Sequence, residues 1–124
     1  MDRDAVAAQI LKRYMDEGLP EFSEMELTDV NQIGNFGNSP LNVACIRGIC
    51  DEVVALLNGG VNVNAVGELG NTPLHEAIAQ GHVEIVKILL NSGAARLARN
   101  EFEETPLEMA RARGLTEIVD LMRE

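Results

Sequence analysis

Acid–base, nucleophilic or metal chemistry in this chain would have to come from His75 and His82, Cys45 and Cys50, and a scatter of carboxylates. Their spacing offers little of it. No set of His, Cys and carboxylate side chains has metal-ligand spacing, so neither a metal nor a cofactor is expected. There is no G-x-S-x-G elbow and no P-loop. Gly34-Asn35-Phe36-Gly37 and Gly67-Glu68-Leu69-Gly70 are glycine-rich, but they recur at a fixed interval and precede no long helix. That makes them hairpin turns, not phosphate cradles. Glu103-Glu104 reads as solvated surface. An enzyme is not expected; what remains is recognition, and the question becomes which elements present a surface.

Those elements repeat. Ser39-Pro40-Leu41, Thr72-Pro73-Leu74 and Thr105-Pro106-Leu107 stand 33 residues apart, and Gly48, Gly81 and Gly114 keep the same step. So do Leu56, Leu89 and Met122. A fixed period in this range marks a stacked repeat array, which presents a surface and rarely builds a catalytic pocket. In the middle copy Thr72 can cap a helix that Pro73 begins. Leu74, Ala77 and Ile78 follow at helical spacing, and Gly81 ends the helix. Val83, Val86, Leu89 and Leu90 form the apolar stripe of a second helix, which Gly93 stops. The pattern predicts helices over 40–47, 50–58, 73–80, 83–91, 106–113 and 116–123, joined by turns or short hairpins without an extended sheet. Leu74, Ala77, Val86, Leu89 and Leu90 are the expected core of the middle unit.

The middle copy, Gly70-Asn71-Thr72-Pro73-Leu74-His75-Glu76-Ala77 and on through Gly81-His82 to Gly93-Ala94, resembles an ankyrin repeat at nearly every signature position. The first copy departs at Ser39 and Asn42, where the family has Thr and His. The third departs at Glu103, Glu108 and Arg123. The resemblance covers residues 34–124, with a fragment at Asp29-Val30-Asn31. It implies an all-α solenoid of stacked helix-turn-helix units with short hairpin loops. It also implies that His75 and His82 are structural, bonding neighbouring backbone. The expected units are 34–66, 67–99 and 100–124. Residues 1–33 form an N-terminal cap, with a helix over 4–17 (Val6, Ile10, Leu11 and Tyr14 on one face) and an irregular second helix over 21–28. Arg123 gives the last unit a polar outer face, as a terminal repeat needs.

Bulk properties narrow the partner. The 124 residues suit one domain, and a net charge of −10 argues against nucleic acid, whose phosphates demand excess Lys and Arg. No apolar run approaches the roughly 18–20 residues of a membrane span, and the charged N-terminus has no secretory core. A cytoplasmic monomer is expected, with Cys45 and Cys50 as a reduced, buried pair.

Residues one period apart align in columns. The hairpin-tip column reads Phe36, Leu69, Phe102, and holds two of the three phenylalanines. An apolar stripe of this kind marks a binding site. Glu68, Glu101 and Glu104 run beside it. Arg47, Gln80 and Arg113 lie on the first helices. The resemblance implies that tips and first helices form the concave face where a partner docks. These nine residues are therefore the candidate site, and an apolar partner surface flanked by Lys or Arg would suit it. The competing reading is that the tips pack on one another and only hold the hairpins in line.

Overall fold

The computed structural model describes residues 2–123, so the expected units at either end reach past it by Met1 and Glu124. Helix α1 (Arg3–Asp16) is capped by Asp2, whose Oδ1 accepts from Ala5 N at 2.7 Å. Helices α2 (Pro40–Arg47), α4 (Pro73–Ala79) and α6 (Pro106–Ala112) each begin at a copy of the Ser/Thr-Pro-Leu phrase, for one local reason. Ser39, Thr72 and Thr105 accept the backbone N–H of the third helical residue. The side chain of that residue (Asn42, His75 or Glu108) accepts the cap's own N–H in return. The reciprocal pair satisfies two donors that a helix start leaves open. Gly48, Gly81 and Gly114 then turn the chain with φ of 77°, 73° and 69°. Helices α3 (Cys50–Asn58), α5 (Val83–Asn91) and α7 (Thr116–Met122) follow. Among the described residues there is no strand.

The helices stack in two columns. α2, α4 and α6 form one; α1, α3, α5 and α7 form the other. Hence α1 stands as a second helix. The stretch expected to be helical over 21–28 is not: one short turn of 3₁₀ helix at Pro20–Phe22 is followed by irregular backbone. The outer column is already filled there by α1, so no seat remains for a further helix. The turn instead reaches the first hairpin, where Asn35 N donates to Glu21 O at 2.6 Å.

Leu41, Ala44, Val53, Leu56, Leu74, Ala77, Ile78, Ile85, Val86 and Leu89 form the centre of the core. Two expectations shift. Ile85 is buried in place of Leu90, which is half-buried at the border of α5. Cys45 is buried but Cys50 only half-buried, because it opens α3 at the edge of the stack. At the N-terminal end the Tyr14 ring stacks on Phe22, with centroids 5.9 Å apart. Beneath it lies Glu52, 0% exposed. Its carboxylate accepts from Tyr14 Oη at 2.8 Å and from Arg13 Nη1 at 3.1 Å. A charge so deep holds only because its neighbours supply donors and positive charge.

This packing makes two stability outcomes predictable. Leu89→Ala empties a fully enclosed site in the unit that touches both neighbours, and is expected to cost about 2–5 kcal/mol in a denaturant or thermal melt. Coincident melts would show that Leu89 is not a core residue. Glu52→Ala strands the Tyr14 hydroxyl and leaves Arg13 and Arg47 without their shared anion. Hydrogen exchange is expected to accelerate in α1 well before α5, whose contacts the change does not touch. Equal acceleration in both helices would contradict a local role for Glu52.

Candidate binding surface

The hairpins owe their alignment to a ladder of hydrogen bonds. Glu21, itself buried, accepts from Phe36 N at 2.7 Å and from Asn38 Nδ2 at 2.8 Å. Asn38 passes the ladder on: its Oδ1 accepts from Glu68 N at 2.9 Å, and its Nδ2 donates to Glu68 Oε1 at 3.1 Å. From the second hairpin, Leu69 O accepts from Glu101 N at 2.9 Å and Asn71 Oδ1 accepts from Asn100 Nδ2 at 3.0 Å. Asn100 Oδ1 then takes Phe102 N and Glu104 N. Every tip is thus tied to the one before it through backbone and amide groups, and no apolar side chain is needed to hold the tips in line.

The apolar side chains accordingly point outward. Phe36 is 52% exposed, Leu69 51% and Phe102 65%. Two further residues belong with them and were missed in the sequence: Ile33 at 51% and Val66 at 62%. They too stand 33 residues apart, with Arg99 at the third place. Their periodicity was visible; what concealed them was that apolar residues beside a glycine turn read equally well as core. Of seven exposed large hydrophobic side chains among the described residues, these five lie on the hairpins. Leu69 also sits at φ 60°, and Glu103 at φ 63° takes the place of Gly37 and Gly70. A left-handed leucine costs about 1 kcal/mol, so the tip conformation is held against local preference.

The polar candidates divide. Glu101 and Gln80 are exposed, and Glu68 is exposed with one oxygen already engaged by Asn38. Glu104 is half-buried, its carbonyl accepting from His75 Nε2 at 2.9 Å. Arg113 is exposed and donates to Ala79 O at 3.2 Å. Arg47 differs from expectation. Its guanidinium lies 2.9 Å from Glu17 and 3.9 Å from Glu52, and 5.4 Å over the Tyr14 ring. The pull of those carboxylates draws it to the N-terminal end, away from the tips.

His75 closes its own cap with Nδ1, which accepts from Thr72 N at 3.1 Å, leaving Nε2–H for the Glu104 carbonyl. Burial lowers its pKa below the ordinary histidine value. The ring of His82 lies against Gly48, where a β-carbon would not fit. Among the described residues, no group of three or more His, Cys, Asp or Glu side chains is placed to hold a metal ion. No described helix is long and apolar enough to cross a membrane.

A family model for ankyrin repeats, in three copies, matches residues 4–100. The chain belongs to the ankyrin-repeat family. The match starts at α1 and ends inside the third hairpin, so it takes in the N-terminal segment that the motif resemblance left out and omits α6 and α7. No curated protein matches the chain. Ankyrin repeats are in general protein–protein interaction modules, and the family is typically non-catalytic. Each hairpin leads in sequence into a first helix, and the exposed Gln80 and Arg113 stand at the far ends of α4 and α6.

The neutral His75 makes acid sensitivity predictable. Its folded pKa is depressed, so the stability it contributes is present above the unfolded value near 6.5 and is lost as pH falls below it. His75→Asn copies Asn42, which fills the same place in the first unit by donating to Ala65 O at 3.0 Å. The variant's melting temperature is expected to fall less steeply than wild type between about pH 6.5 and 5. Glu76, raised by burial, contributes an opposite slope above its unfolded value of 4.5, but does so in both proteins. Identical pH profiles would mean that His75 titrates as it does in the unfolded chain.

Proposed function

We propose that this ankyrin-repeat protein binds another protein through its hairpin tips and carries out no chemistry of its own. The observation that carries the reading is the concentration of exposed apolar side chains on the hairpins, in columns one period apart, while the hairpins are aligned by polar bonds. Large apolar groups kept in solvent, one of them (Leu69) on a left-handed backbone, add little to the core, and such groups anchor interfaces. Glu101 and Glu103 flank Phe102 as exposed carboxylates. The partner surface they suit is apolar with Lys or Arg at its rim. Recognition by a preformed ladder entails little ordering cost. Blocking a basic effector, as a stoichiometric inhibitor or immunity-type protein does, is the mode of action that fits a small acidic chain.

Affinity capture with wild type and a tip variant, followed by mass spectrometry, identifies the partner. With it in hand, Phe36→Ala and Leu69→Ala are each expected to weaken binding by about 1–3 kcal/mol with little change in melting temperature. Glu68→Gln, beside Leu69, is expected to slow association, an effect that fades with salt. If the tips only packed hairpins, both apolar substitutions would lower the melting temperature and leave affinity per folded molecule unchanged.

A further inference from the structure

The seam between the second and third units carries a second apolar surface, separate from the first two tips. The loop after α5 leaves an open groove of about 750 Å³, walled by Leu90, Ala94, Leu97, Leu107 and Met122. Arg96 is its only charged lining residue among the described residues, and it is held at the rim by its bonds to the Leu121 and Met122 carbonyls at 3.5 and 3.1 Å. One period earlier, Leu74 and Leu89 stand in the places of Leu107 and Met122; both are fully buried.

A polar ladder also stops here. Asn31 Oδ1 accepts from Asn62 N at 2.7 Å, and Asn64 Oδ1 accepts from Ala95 N at 2.8 Å, so each loop is pinned to the one before it. Leu97 occupies the third place in this column and is 79% exposed. It offers no acceptor to a further loop. What suits the groove is an apolar side chain accompanied by negative charge.

This chain displays such a group close by. Phe102 is exposed and is flanked by Glu101, Glu103 and Glu104. It stands four positions along the chain from Ala98 on the groove wall, a span of at most about 14 Å. Donor and acceptor so near each other can both lie beside one two-fold axis, the condition for an isologous contact. We propose that the third unit pairs with a second copy of the chain, Phe102 of each copy entering the groove of the other and its flanking carboxylates meeting Arg96. This replaces the monomer that the sequence led us to expect. It takes Phe102 from the tip stripe and leaves Phe36 and Leu69 free for a partner.

Sedimentation equilibrium over about 5–500 μM tests it, with a dissociation constant in the micromolar range expected for wild type. Leu97→Glu and Phe102→Ala both alter exposed side chains and are expected to keep the wild-type helical signal and melting temperature. Each is expected to weaken pairing at least about tenfold. An equimolar mixture of the two variants restores one of the two contacts, and is expected to associate more tightly than either alone. A wild type that stays monomeric throughout, a dimer that survives both substitutions, or a mixture no tighter than its components overturns the proposal. In the first case the groove is left to a segment of another protein. Phe36→Ala is expected to leave self-association unchanged, so failure of the pairing and failure of the partner-binding reading give different results.

Discussion

One position in each unit joins the local fold to the stack: the third residue of the first helix. Helices of seven to nine residues do not persist alone in water, and these depend on their neighbours. Asn42 and His75 each use one polar atom to close their own cap and another to reach a carbonyl further along the chain, Ala65 or Glu104. At His75 local helix initiation and unit-to-unit contact are therefore the same event, while Asn42 ties its helix to the loop that leads out of its own unit. A side chain with two opposed polar ends, one accepting and one donating, is what the position requires. Neutral histidine and asparagine both qualify. Glutamate meets half of the requirement, since Glu108 closes the cap of α6 with its carboxylate but has no hydrogen to donate onward.

The hairpins solve a different problem. Their backbone groups are exposed to solvent yet must keep a fixed spacing, and amide side chains at Asn38, Asn71 and Asn100 bridge them. Glu21 closes this ladder at the N-terminal end, buried without a cation among its bonded partners and satisfied by N–H groups alone. Because polar bonds carry the alignment, the apolar residues at the tips are free of it. Leu69 keeps a left-handed backbone that glycine would adopt at no steric cost. That strain falls on an exposed side chain, which is why the hairpins rather than the first helices dominate the functional reading.

Much of this was legible in the sequence because the period imposes it. Caps, turn glycines and the stripes of six helices each follow from a residue type with one physical use, repeated three times. The departures arise where no repeat constrains the chain. Residues 21–28 have helix-compatible composition, but α1 already fills their column, a tertiary fact that no local pattern carries. Arg47 keeps the register of Gln80 and Arg113, yet two carboxylates and an aromatic ring, near only in the first unit, redirect it. Ile33 and Val66 keep the period and still escape notice, since alternating apolar residues beside a turn do not announce which side faces water. Leu90 has the helical spacing of a core residue, but its place lies at the side of the second helix, and Leu57 one period earlier is half-buried there too.

The third unit shows how substitution at repeat positions turns a stacking surface into a different one. Glu108 removes the onward donor, Leu97 removes the loop acceptor, and Glu103 replaces a hairpin glycine. The first two changes delete groups used earlier in the chain to hold the following segment. The apolar residues beneath, Leu107 and Met122, keep the character of Leu74 and Leu89. Polar specificity is lost while apolar attraction is retained. A face of that kind no longer selects another repeat by matched hydrogen bonds; shape, apolar area and charge select what it holds. Five of the chain's ten Lys and Arg residues fall between Arg96 and Arg123, where they nearly balance the carboxylates of the same span, while the groove itself is lined by Arg96 and apolar residues. The acidic, aromatic tip at Phe102 and the less acidic apolar groove are complementary in the two terms that survive, and Phe102 stands only four positions along the chain from Ala98 of the groove.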